Sequence, residues 1–186
     1  RDQEIKREKS EVLFAATPPL EANKVLFSLV MSMIRNSRGQ KINIDFIDVR
    51  RAYFHAAARR NVYVRLVDED QTEGMCGKLN KAMYGTRDAA QNWEYAYTEF
   101  LGSVGFAPCR MNPCVFYNKE KEIRLVVQGD DFTLSGSDED LDWFRGEISN
   151  NIDFKCRARL GPDQKDDKSV RILNRVVEWG KMGIWY

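Results

Sequence analysis

The sequence predicts an α+β fold built on a split βαβ sheet, and three observations carry that expectation. Period-two alternation marks strands at 41–49 and 152–160, apolar runs mark strands on both sides of residues 128–131, and helical periodicity marks 86–104 and 137–150. The chain order of these elements is β-α-β-β-α-β. In such a sheet the first strand and the central hairpin are neighbours, so residues far apart in sequence can meet.

A length of 186 residues suits one domain, with room for a small subdomain, and can bury a real core. The composition, 43% hydrophobic and 31% charged, is that of an ordinary soluble globular protein, and a net charge of +1 selects no class of partner. Cys76, Cys109, Cys114 and Cys156 form no C-x-x-C pair and only His55 could complete a site. A structural zinc site is therefore not expected, and reduced thiols in a cytosolic or nuclear setting are. No apolar run of about 18 residues offers a membrane span, and the charged N-terminus is unlike a signal peptide. The abrupt start at Arg1 and end at Tyr186 suggest a piece of a longer chain.

Residues 1–16 read as a charged tail or linker before a domain over 17–186. Thr17-Pro18-Pro19 supplies a cap and prolines suited to a first helical turn; Leu26, Leu29, Val30, Met33 and Ile34 then recur at helical spacing. That predicts a helix of about five turns ending at Gly39. Lys41 to Val49 reads as a strand with Ile42, Ile44, Phe46 and Asp48 on one face and Asn43, Asp45, Ile47 and Val49 on the other. Asn61 to Leu66 alternates like another strand, followed by an acidic loop to Gly74. The helix at 86–104 carries an apolar stripe of Trp93, Tyr97, Phe100, Leu101 and Val104, which reads as a core face.

Cys114 to Tyr117 and Ile123 to Val127 predict a hairpin around Asn118 to Lys121. Ser137-x-x-Asp140 resembles a capping box before a helix with Leu141, Phe144 and Ile148 inward. From Ile152 to Leu160 strict alternation predicts a strand buried on one face. Val170 to Trp179 and Met182 to Tyr186 read as a closing hairpin around Gly180-Lys181.

The chemistry centres on Gln128-Gly129-Asp130-Asp131, whose two adjacent carboxylates stand at a hairpin tip. Gly and Asp are also ordinary turn residues, so taken alone the tip could be turn chemistry. Asp48 lies at the carboxyl end of its strand, where sheet-borne sites commonly sit, and Asp45 points the opposite way. Three carboxylates meeting on one sheet suit Mg²⁺ or Mn²⁺, and fit a two-metal phosphoryl-transfer site with ions roughly 3.5–4 Å apart. A basic run through Arg50, Arg51, Arg59, Arg60, Lys78, Lys81 and Arg87 is weaker evidence for phosphate binding.

Asp48-Val49-Arg50-Arg51-Ala52-Tyr53-Phe54 resembles the first palm motif of reverse transcriptases. Lys78-Leu79-Asn80-Lys81-Ala82-Met83-Tyr84-Gly85, continued by Thr86-Arg87-Asp88-Ala89-Ala90-Gln91-Asn92-Trp93, is similar to a signature of copia-type retrotransposon polymerases. The Gly-Asp-Asp tip stands where that family carries Tyr-Val-Asp-Asp. The resemblance implies a polymerase palm, a ferredoxin-like antiparallel sheet with helices on one face, together with partial fingers and no thumb. It implies an RNA-directed DNA polymerase that joins dNTPs to a primer 3′-hydroxyl with two Mg²⁺ or Mn²⁺ ions. Asp48, Asp130 and Asp131 would be the catalytic metal ligands. Val49, Ala52, Tyr53, Arg87 and Asp88 would line the nucleotide, with the Tyr53 ring excluding a 2′-hydroxyl. Arg50, Arg51 and Lys81 would hold the RNA or DNA template-primer.

The remainder of a Pol polyprotein, with thumb, RNase H and integrase, would be the partner, no membrane would be involved, and the setting would be a cytoplasmic virus-like particle or the nucleus. Asp88 replaces the family's Gln, Thr86 its Leu, Ala90 a frequent Pro, and Gln128-Gly129 its Tyr-Val. These departures leave an alternative, a catalytically decayed relic that still binds nucleic acid. An RNA-recognition domain would need an aromatic motif that this chain lacks, and Tyr53 argues against an RNA-templated RNA polymerase.

Overall fold

The computed structural model describes residues 15–19 and 21–186. Most of the expected N-terminal tail lies outside them, but Ala16 at its end is anchored, its N–H donating to Glu94 Oε2 at 2.8 Å. The central sheet has six antiparallel strands. In chain order these are β1 (Asn43–Val49), β4 (Phe106–Pro108), β5 (Val115–Asn118), β6 (Ile123–Gln128), β7 (Asp131–Gly136) and β8 (Phe154–Leu160); β2 (Tyr63–Val64) and β3 (Gly77–Lys78) pair separately. Across the sheet the order is β4-β5-β6-β7-β1-β8. The four strands β6-β7-β1-β8 thus follow the expected split βαβ pattern, with β1 between the hairpin strand β7 and the last strand β8.

Helices α2 (Ala89–Ser103) and α3 (Asp138–Ser149) are the two crossovers. Both pack on one face, where Trp93, Tyr97, Leu101, Leu141 and Phe144 meet Ile47, Val127, Phe132 and Leu134 in a continuous core. Ser137 caps α3, its hydroxyl accepting from the Asp140 N–H at 3.3 Å, as the capping signature indicates. The other face is not bare. There α1 (Glu21–Ser32) buries Leu26, Phe27 and Val30 against Ile44, Phe46, Ala158 and Leu160. Among the described residues no helix is long and apolar enough to cross a membrane.

Four expectations need correction. The first helix stops at Ser32 instead of Gly39 because the Asn36 side chain takes over the backbone: its Oδ1 accepts from the N–H groups of Arg38 (3.1 Å) and Gln40 (2.8 Å). The strand at 61–66 shrinks to Tyr63–Val64. The segment 170–179 is two strands, β9 (Ser169–Ile172) and β10 (Arg175–Gly180), because Leu173 and Asn174 both turn at positive φ (46° and 60°), which suits a tight hairpin turn. With β11 (Gly183–Trp185) they form a three-stranded sheet.

The fourth correction concerns β8. Phe46 pairs with Ala158 and Ile47 with Cys156, so Arg157 is the extra residue of a β-bulge. The bulge switches the faces of the strand halfway along: Ile152 and Phe154 join the α2/α3 core, whereas Ala158 and Leu160 join the α1 core. Arg159 is thereby turned inward to Asp45, and Arg157 outward to Asp48.

Candidate active site

The hairpin tip is set by β6 and β7, closed by the pair Gln128 and Asp131, with Gly129 in the left-handed region (φ 64°) that glycine adopts without steric cost. β1 lies alongside in a register that makes Asp48 the direct neighbour of Asp131. At the end of that ladder the Val49 N–H donates to the Asp130 carbonyl at 2.8 Å. Asp48, distant in sequence from the consecutive Asp130 and Asp131, thus stands beside them on adjacent backbone.

The tip is propped from beneath. Trp93, 2% exposed, donates its indole N–H to the Gly129 carbonyl at 2.8 Å and stacks on Phe132. The aromatic stripe of α2 is therefore core packing, as expected, and it also fixes the turn that carries the acids. Replacing Trp93 by Phe keeps most of the apolar contact but leaves the Gly129 carbonyl without its donor. It is expected to cost about 1 kcal/mol in chemical denaturation.

Asp131 is partly enclosed, and burial pushes its carboxyl above the ordinary value; Asp130 and Asp48 push the same way and Arg157 opposes them. Such crowding of negative charge is what a hard cation relieves, and the donor set is all oxygen, so these residues fit Mg²⁺ or Mn²⁺. Among the described residues, however, no three His, Cys, Asp or Glu side chains are already gathered to hold an ion. A reason is visible in the geometry. Asp48 Oδ2 is engaged by Arg157, whose Nη2 and Nε lie 2.7 and 3.2 Å away.

The other sequence-nominated residues fall into two groups. Val49 and Ala52 are buried beside the acids, and Ala52 opens a 3₁₀ turn, Ala52–His55, entered through Arg51 at φ 51°. Tyr53 is half-buried with its ring 4.4 Å from that of Tyr84. This brings the first motif against the Lys78 to Trp93 block, a junction reinforced by the Ala82 N–H donating to the Ala56 carbonyl at 2.9 Å. Lys81 Nζ reaches the His55 carbonyl at 3.3 Å. His55 itself faces the Arg50 carbonyl, at 3.0 Å. Arg50 and Arg51 are exposed with Asp153 3.7 and 3.9 Å away, and Arg87 is exposed.

Asp88 belongs to a second group. It is 5% exposed, has Arg60 Nη2 3.0 Å from one oxygen, and accepts from Asn92 Nδ2 at 3.1 Å on the other. Burial alone would raise its carboxyl, but Arg60, its own backbone and Asn92 outweigh that and hold it below the ordinary value. Asp88 is turned inward as a prop for the start of α2, which is a different setting from the open nucleotide contact that its place in the motif suggests.

Two neighbours of the acids leave no mark in the local sequence pattern. Arg157 looked like one of four alternating polar residues, and nothing in that alternation marks a bulge. Arg171 joins Asp131, Arg157, Leu173 and Asn174 around a groove beside the tip, and it precedes a hairpin turn that the sequence pattern alone presents as continuous strand.

Residues 17–161 match the family model described as reverse transcriptase (RNA-dependent DNA polymerase). Among curated proteins the chain is 25% identical, over 82% of its length, to the retrovirus-related Pol polyprotein from transposon TNT 1-94 of Nicotiana tabacum. It is also 25% identical over 65% of its length to the transposon Ty1-ER2 Gag-Pol polyprotein of Saccharomyces cerevisiae. A third match, 26% identical over 51% of the chain, is the retrovirus-related Pol polyprotein from transposon RE1 of Arabidopsis thaliana. The chain spans only 11% of the first of these and 7% of the other two.

Proposed function

The chain belongs to the reverse transcriptase (RNA-dependent DNA polymerase) family, and from that premise we propose that its sheet is the palm of a copia-type Pol polymerase and its acid-bearing tip the nucleotidyl-transfer site. The observation that carries the reading is the register of β1 on β7, which puts Asp48 beside Asp131 and ties Val49 to Asp130. Asp48, Asp130 and Asp131 are the residues that would hold two Mg²⁺ or Mn²⁺ ions. Such ions, when bound, activate an attacking oxygen and stabilise a leaving pyrophosphate.

The residues of the chain do the rest of the work. Trp93 and Gly129 fix the position of the tip, so that its carboxylates need little reorganisation on binding. Tyr53, braced by Tyr84, bounds the sugar side of the incoming nucleotide, with Ala52 small enough to let it approach. Arg50, Arg51 and Lys81 contact template-primer phosphates, a sequence-independent attraction weakened by salt. The primer 3′-hydroxyl attacks the α-phosphorus, one P–O bond forms as the bond to pyrophosphate breaks, and the strand grows by one deoxynucleotide.

Primer extension on an RNA template tests this, using the chain alone and within a longer Pol polypeptide. Extension is expected to require Mg²⁺ or Mn²⁺ and to prefer dNTPs. Shortening the gate in Tyr53→Ala is expected to raise ribonucleotide use relative to dNTP use at least about tenfold, the effect of one steric contact. A longer polypeptide that never extends a primer, or a Tyr53→Ala variant with unchanged discrimination, would contradict the assignment.

A further inference from the structure

Arg157 is joined to the acid cluster by two independent features. It is the residue inserted by the β8 bulge between Phe46 and Ile47 of β1, and bulges next to active sites commonly re-aim one side chain. Its guanidinium then meets Asp48 through two nitrogens on a single oxygen, at 2.7 and 3.2 Å. Without the bulge, alternation would keep Arg157 and Arg159 on the same face. With it, Arg159 serves the buried Asp45 and Arg157 serves the candidate site.

We propose that Arg157 is a positioning residue, an internal counterion that holds the Asp48 carboxylate in place while the site carries no divalent cation and must release it before Asp48 can act as a ligand. The inference rests on the metal-site reading above. The pair is built for release. Arg157 is 39% exposed and Asp48 25%, a setting in which an ion pair is worth little and exchange is easy. Arg157 opens onto the groove that it shares with Arg171 and Asn174, so the guanidinium has somewhere to go. Asp131, on the far side of Asp48, is left to face its two acidic neighbours with Arg157 as the opposing charge. A cation held by Asp48 and the Arg157 guanidinium would draw on the same carboxylate charge and repel each other.

The test is Mn²⁺ affinity, measured by electron paramagnetic resonance of free Mn²⁺ on the chain without nucleic acid. Arg157→Gln is expected to bind Mn²⁺ roughly fivefold more tightly than the native chain. Arg157→Met, which keeps the apolar stem, is read in parallel and is expected to match it. Arg157→Lys keeps the charge and is expected to stay within about twofold of native. The gain is expected to vanish when Asp48→Asn is added. Unchanged or weaker binding in both neutral variants overturns the counterion role. If native binding is nonetheless lost in Asp130→Asn, the metal site stands without it; if no variant shows Mn²⁺ binding that depends on Asp130, both readings fall together.

Discussion

Asp130→Asn is expected to lower primer extension by at least about 10³-fold while leaving the fold intact. Asparagine keeps the size of the side chain but removes the charge, and charge stabilisation by metal ions is worth several kcal/mol in such sites, each 1.36 kcal/mol being tenfold in rate. The fold is spared because Asp130 is exposed and its structural bond runs through its backbone carbonyl, which accepts from Val49 whatever the side chain. Asp48→Asn is expected to behave alike, and Asp131→Asn less severely, in line with the less direct role that the family resemblance implies for the second tip acid. Single-turnover extension alongside thermal unfolding separates the chemistry from the folding. A comparable loss of melting temperature in Asp130→Asn would move its role from catalysis to structure.

Asp45→Ala is expected to do the reverse and remove about 3–5 kcal/mol of folding stability. Asp45 is 1% exposed and stands between two cations: Arg145 Nε at 2.7 Å, and Arg159 Nε and Nη2 at 2.7 and 3.0 Å. Burial works against the charge of Arg159, but its bonds to Asp45 and Asp142 outweigh that and hold its proton more tightly than usual. Asp138, 3.2 Å from Arg159, extends the network to α3 and is itself held by Asn43 and Lys165. Truncating Asp45 leaves two guanidinium groups partly buried without their shared partner, and that uncompensated charge sets the size of the effect. Urea denaturation of the variant measures it. A loss under about 1 kcal/mol, the range of exposed pairs, would mean that water reaches these arginines freely.

The two aspartates also show what the sequence could and could not reveal. That Asp48 and Asp45 oppose each other follows from the two-residue period of β1, and the split βαβ order was enough to bring Asp48 toward the tip. Both are properties of local pattern and chain order. The partners of each aspartate were hidden, because they depend on where β8 departs from regularity. Its alternation is unbroken from Ile152 to Leu160, yet one inserted residue reverses which side chains face which core. Pairing with β1 imposes that bulge, and a long-range pairing leaves no local mark.

Other differences have similar causes. Asn36 ended α1 early by a side-chain bond that helical periodicity does not weigh. β4 is three residues long with a proline and lies at the sheet edge, too short to show a period. The inward turn of Asp88 depends on Arg60, which arrives from a different loop.

Mn²⁺ titrated into ¹⁵N-labelled protein tests the shared acid site most directly, because paramagnetic broadening reports which amides lie near the bound ion. Signals of Val49, Gly129, Asp130 and Asp131 are expected to vanish first, and to persist in a variant carrying both Asp48→Asn and Asp130→Asn. Broadening that begins elsewhere, or that is undiminished in the double variant, would contradict a metal site at this hairpin tip.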